Sequence, residues 1–274
     1  GLLGSTIVGF HTQFHCNNFF DTVDRFLECR IDREHATITV GGMASMIRSY
    51  PISIEWPPQA LRRQHSVTEC RNTVRQRLGL DPEIRLGVGV ERFDYTKGIL
   101  ERLQAIRAFL EQNPGWVGRL SFIQIAAPTR SKLPSYQQLQ HDAASLTEDI
   151  NRQFGRPDYQ PVILIPRHHE PDEVYEYFRA ADFCLVSSLH DGMNLVAKEF
   201  VAARDDDQGV LILSTFAGAS RELPEALIVN PYDPAGMART ITEALTLSPE
   251  HQRARMRLMR ETVREHNVYR WAGR

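Results

Sequence analysis

The sequence predicts an α/β protein built on a doubly wound parallel sheet, and three observations carry that prediction. Short apolar runs at 84–91, 120–127, 161–165, 183–187, 210–214 and 226–229 have the length of strands. They lack polar–apolar alternation, as strands covered on both faces do. Segments of helical period separate them, which is the β-α-β-α order of a parallel sheet. Periodicity leaves Rossmann-like and flavodoxin-like strand orders open. Both bind ligands beyond the carboxyl ends of the strands, so residues just after each run are where chemistry is expected.

The elements follow in order. Residues 6–10 form a short strand feeding a helix over about 15–29, with Phe19, Phe20, Val23, Phe26 and Leu27 on one face. The run 37–40, the pair Gly41-Gly42 and a second run to Ile52 read as a hairpin, because paired glycines permit the positive φ of a tight turn. Pro51, Pro57 and Pro58 punctuate a linker, and Ser66-Val-Thr-Glu69 has capping-box spacing ahead of a charged helix. The alternating runs then begin. Helices from about 249 onward are rich in arginine and glutamate, and no repeat or low-complexity stretch appears.

Composition narrows the function. The 274 residues are 42% hydrophobic and 24% charged, ordinary for a globular protein, and no apolar run approaches the roughly 18 residues of a membrane span. With 32 basic residues against 34 acidic ones and a net charge of -2, there is no global field for nucleic acid, so an anion site must be local. Cys16, Cys29, Cys70 and Cys184 form no CxxC pair, which points away from disulfides and toward a reducing cytoplasm. His11, His15 and Cys16 have no second ligand pair at useful spacing, so no metal is expected. The N-terminus lacks the pattern of a signal peptide and reads as a chain already under way.

Four strand-end loops carry candidate chemistry. After the first run stand Arg92 and Lys97, ahead of a helix starting near Gly98, a place where two cations can neutralise a leaving diphosphate; from position alone they read equally as solvated loop charges. Gly87-x-Gly89 in the same run lacks the third glycine of a dinucleotide fingerprint. Arg130 follows the second run, placed to meet a ligand anion but taken singly more often a surface arginine. Arg167-His168-His169 follows the third, where a histidine can bond a nucleobase or act as acid or base but is more often a satisfied structural residue. After the fourth comes Asp191-Gly-Met-Asn-Leu-Val-Ala-Lys-Glu199. Asp191-Gly192 makes a sharp turn into a helix whose free amides favour phosphate. Asp191 in that turn reads either as an acceptor for sugar hydroxyls or as the N-cap of the helix. Glu199, seven residues beyond Gly192 and roughly 10 Å along a helix, has a separation that suits an acceptor for ribose hydroxyls, the alternative being a solvated helix residue.

With these loops in this order, the sequence resembles the trehalose-6-phosphate synthase family, retaining glycosyltransferases of the GT-B fold. Val90-Glu-Arg-Phe-Asp-Tyr-Thr-Lys-Gly98 and the Asp191–Glu199 stretch are its specific motifs, and the likeness runs from Ile7-Val-Gly-Phe-His-Thr12 to the closing helix. The resemblance implies the Rossmann-like C-terminal half of a GT-B fold with a remnant of the N-terminal domain. It divides the chain into an acceptor-domain remnant and linker at 1–62, a donor domain at 63–255 and a helix crossing back at 256–274. It implies that Arg92 and Lys97 hold the donor diphosphate, and that Asp191 with the backbone of Gly192, Met193 and Asn194 holds the glucose. The backbone of Leu195 and Val196 meets the phosphates, Glu199 the ribose and His168 the base region, while Arg130 reaches the phosphate of glucose 6-phosphate. His190 stands where relatives commonly carry arginine, and His169 and Glu170 replace less charged residues, which loosens any inference about the base.

The expected activity is glucosyl transfer from UDP- or ADP-glucose to glucose 6-phosphate, giving trehalose 6-phosphate without a metal or other cofactor. Nothing in the sequence corresponds to the family's first half with its glycine-rich loop and catalytic histidine. These residues alone are therefore expected to bind donor and turn over nothing. Alternatives are transfer to another phosphorylated acceptor such as glycerol 3-phosphate, and a non-catalytic nucleotide-sugar-binding module. Partners are small molecules, with no nucleic acid or membrane, and a homo-oligomer is open.

Overall fold

The computed structural model describes residues 1–129 and 133–273. They divide into two compact units, Gly1–Ser53 with His266–Arg274, and Ile54–Glu265. In the first, β1 (Ile7–Phe10) leads into α1 (Gln13–Phe26), followed by β2 (Arg30–Asp32), β3 (Thr37–Val40) and β4 (Met43–Ser49). Thr12 starts α1: its backbone is extended and its hydroxyl accepts the His15 N–H at 3.3 Å, filling one of the free amides of a helix start. The helix stops at Phe26 rather than 29 because the chain turns extended at Leu27 to enter β2. Three residues with charge at both ends give β2 no period to read.

The strand order is β1-β4-β3-β2, with β1 parallel to β4 and the other pairs antiparallel. The expected hairpin is present: Gly41 and Gly42 both take positive φ, +56° and +84°, and Val40 faces Met43 across the turn. Phe20 and Val23 of the predicted helix face pack with Val8, Cys16, Ile38 and Ile47, whereas Phe26 and Leu27 are exposed.

The second unit opens with α2 (Val67–Leu78). Both halves of the capping box form, Ser66 Oγ accepting from Glu69 N and Glu69 Oε2 accepting from Ser66 N, and Gly79 closes the helix at φ +65°. Then come β5 (Arg85–Arg92), α3 (Ile99–Gln112), β6 (Leu120–Ala127), α4 (Pro134–Phe154), β7 (Val162–Ile165), α5 (Pro171–Ala180), β8 (Phe183–Val186), α6 (Leu195–Ala203), β9 (Val210–Ser214), β10 (Leu227–Val229), α7 (Pro234–Thr246) and α8 (Pro249–Glu265). The sheet runs β10-β9-β8-β5-β6-β7 and every pairing is parallel. Counted from β5 this is 3-2-1-4-5-6, so the order is Rossmann-like and the topological switch lies between β5 and β8.

Helices cover both faces. Leu103, Ile106 and Phe109 of α3, Ala143 and Ile150 of α4 and Ile241 of α7 bury against Phe122, Phe183 and Ile212 of the sheet. Gly87 belongs to this packing, since a Cβ there would stand 2.3 Å from a Phe183 ring carbon and 2.7 Å from one of Phe122. The Gly-x-Gly of β5 is thus a device for close layers.

The last helix, α9 (Val268–Ala272), lies in the first unit, capped by Asn267, with Trp271 Nε1 donating to the Tyr50 carbonyl at 3.3 Å. The units part at Ser53/Ile54 and Glu265/His266, where the sequence places breaks after 62 and at 256. α8 runs unbroken through 256. Among the described residues no helix is long and apolar enough to cross a membrane.

Candidate functional site

The loops after β5 and β8 meet at the switch point, and backbone contact holds them there. Gly98 takes φ +64° to pass from a 3-10 turn, Tyr95–Lys97, into α3, and a Cβ on it would stand 2.1 Å from the Ser187 carbonyl oxygen. Only glycine fits so close an approach at that φ. Asp94 starts the turn, its carboxylate accepting the Thr96 N–H at 2.9 Å and hydroxyl at 2.8 Å. Leu189 N then donates to the Thr96 carbonyl at 2.8 Å.

The turn after β8 is fixed from the other side by the loop after β9. Asp191 N donates to the Phe216 carbonyl at 3.1 Å, Gly218 N to the Asp191 carbonyl at 3.0 Å, and Ala219 N to the Met193 carbonyl at 2.7 Å. Ser214 Oγ donates to the Ser188 carbonyl at 2.6 Å. Asn194, at φ +74°, is the cap of α6, its Oδ1 accepting the Ala197 N–H at 3.0 Å. Asp191 is therefore no helix cap. The helical rise applies only from Leu195, so Glu199 lies four residues along α6, about 6 Å, and not the roughly 10 Å expected from Gly192.

Between the two loops, Lys97 Nζ and Asp191 Oδ2 form an ion pair at 2.5 Å, with side chains 17% and 14% exposed. Asn194 Nδ2 donates to the same carboxylate oxygen at 3.1 Å. The pair sits at the start of α6, where first-turn amides lack intrahelical acceptors. Arg92, the last residue of β5, is exposed and forms no ion pair with any described residue. Beneath them, Glu91 is buried and its carboxyl is pushed up by burial, an effect that Arg102 and Lys97 oppose. Burial, reinforced by Glu91, also raises the Glu199 carboxyl.

The histidines of the third loop separate. His168 is exposed, 3.8 Å from the Glu170 carboxylate. His169 is buried, its Nδ1 3.0 Å from the Arg167 carbonyl and its ring edge-on to Tyr177, which makes it part of the packing under α5. Arg130 lies outside the described residues. No group of three or more His, Cys, Asp or Glu side chains able to hold a metal comes together among those described.

The family model of glycosyltransferase family 20 matches residues 1–274. This chain belongs to glycosyltransferase family 20. The bifunctional trehalose-6-phosphate synthase/phosphatase of Thermoproteus tenax is 39% identical over 272 residues, 99% of this chain and 36% of its own length. The UDP-forming α,α-trehalose-phosphate synthase of Candida albicans is 36% identical over 255 residues, 92% of this chain and 52% of its own. A structure described as trehalose-6-phosphate from E. coli bound with UDP-2-fluoro glucose superposes with a TM-score of 0.92 at 32% identity, over 99% of this chain and 60% of that one. The Burkholderia xenovorans UDP-forming synthase in complex with glucose-6-phosphate gives 0.91 at 34% identity, with the same coverage. The chain thus spans between 36% and 60% of the length of these relatives.

In this family 20 chain, Arg92 ends β5, Lys97 lies on the loop after it, and Asp191, Gly192, Met193, Asn194, Leu195, Val196 and Glu199 lie on the loop after β8 or on the α6 it leads into. His168 follows the outer strand β7. Sequence reasoning missed Arg102. It is fully buried and donates to Ser187 Oγ, Gln124 Oε1 and Glu91 Oε1 at 3.0, 3.0 and 3.2 Å. Its signal was a charge on the apolar face of α3, between Ile99 and Ile106 at helical spacing. The clamp through Gly218 had no such signal, because its partners are backbone atoms.

Proposed function

We propose that this chain supplies the donor site of a retaining hexosyltransferase that moves glucose from UDP-glucose to glucose 6-phosphate, giving trehalose 6-phosphate and UDP. The observation that carries it is the Lys97–Asp191 pair, a cation and a carboxylate held across the switch-point crevice beside the start of α6. One end of a nucleotide sugar is a diphosphate and the other carries hydroxyl donors, so one ligand engages both groups. Lys97, exposed Arg92 and the amides of Leu195 and Val196 take the diphosphate, while Asp191, Gly192, Met193 and Asn194 take the glucose. Glu199 accepts from the ribose hydroxyls and His168 meets the base region. Uridine rather than adenine is supported by relatives described as UDP-forming.

In the reaction, the bond from the anomeric carbon to the diphosphate oxygen breaks. A hydroxyl oxygen of glucose 6-phosphate bonds to that carbon on the same face, and its proton passes to the departing diphosphate. Negative charge grows on the leaving group, so Arg92 and Lys97 bind the transition state more tightly than the ground state. The charge is met by side chains and helix amides and calls on no metal. Arg130 is the proposed contact for the acceptor phosphate. The cysteines are free, which fits a cytoplasmic setting.

Calorimetry with UDP, ADP and UDP-glucose on the full-length protein tests the site. Lys97→Ala and Glu199→Ala should each weaken UDP by about tenfold, the scale of one charge-assisted hydrogen bond. Unchanged affinity in both variants would sink the donor site, and tighter binding of ADP than UDP would move the donor to ADP-glucose.

A further inference from the structure

Arg102 and Gly89 are absorbed by none of these donor contacts, yet they share one place in the fold, the floor of the switch-point crevice. The Arg102 guanidinium is fully buried. Its hydrogen bonds go to the end of β5 (Glu91 Oε1, 3.2 Å), to β6 (Gln124 Oε1, 3.0 Å) and to the residue after β8 (Ser187 Oγ, 3.0 Å). A fourth, at 3.4 Å, reaches the Lys97 carbonyl. Ser187 Oγ passes the constraint on by donating to the Gly98 carbonyl at 2.8 Å. One planar fork therefore ties two adjacent strands, the end of a third and both residues of the bend that carries Lys97. Gln124 is itself held, its amide donating to the carbonyls of Gly89 and Ile125.

Gly89 makes the room. A Cβ on it would stand 2.5 Å from Arg102 Nη1 and 2.9 Å from Gln124 Oε1. The Gly-x-Gly of β5 thus does two jobs: Gly87 admits the aromatic layer and Gly89 admits the guanidinium. Packing alone does not call for a charge here, since apolar side chains of similar volume commonly replace a buried ion pair without loss of stability. A lysine would not substitute, because a point charge cannot address several acceptors in one plane.

From this arrangement we infer that Arg102 is a positioning residue for the diphosphate site: it holds the Lys97–Gly98 bend against Ser187, so that the Lys97 ammonium meets the ligand where Asp191 now holds it. The inference rests on the nucleotide-sugar reading above. Arg102 touches no ligand and acts through Lys97, so its effect must vanish when Lys97 is gone. A merely structural arginine would weaken binding alike with and without Lys97.

The test is a double-mutant cycle in the full-length protein, read by UDP calorimetry beside thermal unfolding. Arg102→Lys and Gly89→Ala are each made with Lys97 and with Lys97→Ala, and UDP is raised far enough to titrate the weaker variants. Gly89→Ala keeps every side chain of the hub and displaces the guanidinium together with the Gln124 oxygen it bonds, so it serves where Arg102→Lys fails to fold. Each change should weaken UDP by about tenfold with Lys97 present, within the loss that small misplacement of a binding group causes, and by less than about twofold in the Lys97→Ala background. Equal weakening in both backgrounds, or no weakening in folded variants, overturns the positioning role. Failure of the wild-type protein to bind UDP overturns the nucleotide-sugar reading instead and takes this inference with it.

Discussion

Glu199 is half-buried and near Glu91, and this sets the pH behaviour of the proposed ribose contact. The Glu199 carboxyl is raised above its ordinary 4.5, first by desolvation and then by the Glu91 charge, and Tyr175 is pushed up first by its own burial and then by the charge of Glu199. Between 4.5 and the raised value the folded protein holds a proton that the unfolded chain has lost, so this group's contribution to stability falls as pH rises through that window. Ribose hydroxyls donating to the carboxylate favour its ionised form, so UDP affinity should rise with pH across the same window. Comparison with Glu199→Gln removes the titration of UDP itself. The ratio of wild-type to variant affinity should climb from pH 4.5 upward, and a flat ratio would show that Glu199 does not meet the ligand. Asp94 behaves oppositely: its hydrogen bonds from Thr96 hold it below the ordinary carboxylate value despite burial, so its support for the Lys97 turn is lost as pH falls through the lowered value.

At the scale of an element, α6 begins from a strained residue whose side chain does two jobs. Asn194 takes φ +74°, caps Ala197 N through Oδ1 and steadies Asp191 through Nδ2. Alanine removes the cap and dislikes the positive φ, whereas glycine removes the cap and accepts it. Asn194→Ala should therefore cost about 1–2 kcal/mol in urea unfolding, and Asn194→Gly roughly 0.3 kcal/mol. Equal losses would mean that backbone strain at 194 is not what Asn194 tolerates for the helix start. Both variants free Asp191 from its amide partner, so any shared loss of UDP affinity reports on that contact.

Across the whole molecule, the site is assembled by strand order. Loops after β5 and β8 are some 90 residues apart in sequence and touch because those strands are neighbours where the winding reverses. All the described residues of the proposed donor site lie within Ile54–Glu265, while the chain spans at most 60% of the relatives' lengths given above. Water exclusion and acceptor alignment in transfer need more than a donor cradle. Residues 1–274 alone should thus bind UDP-glucose in calorimetry and release no UDP in a coupled assay with glucose 6-phosphate, while the full-length protein turns over. Sustained turnover by the 274 residues would refute this.

Much of this was legible from local signals. Unalternating apolar runs marked the parallel strands, Gly41-Gly42 the hairpin, and Ser66 with Glu69 the cap of α2, because each is decided by nearest neighbours in the chain. The residues after β5 and β8 were marked as site candidates by position, and their spacing and identity carried the family. Periodicity left the strand order open and the family motifs pointed to the Rossmann-like one, but tertiary structure alone paired Lys97 with Asp191, separated exposed His168 from buried His169, and showed why Gly87 and Gly89 are glycines. Those depend on which strands become neighbours and which atoms then compete for the same space, and no periodicity along the chain encodes a contact between residues that far apart.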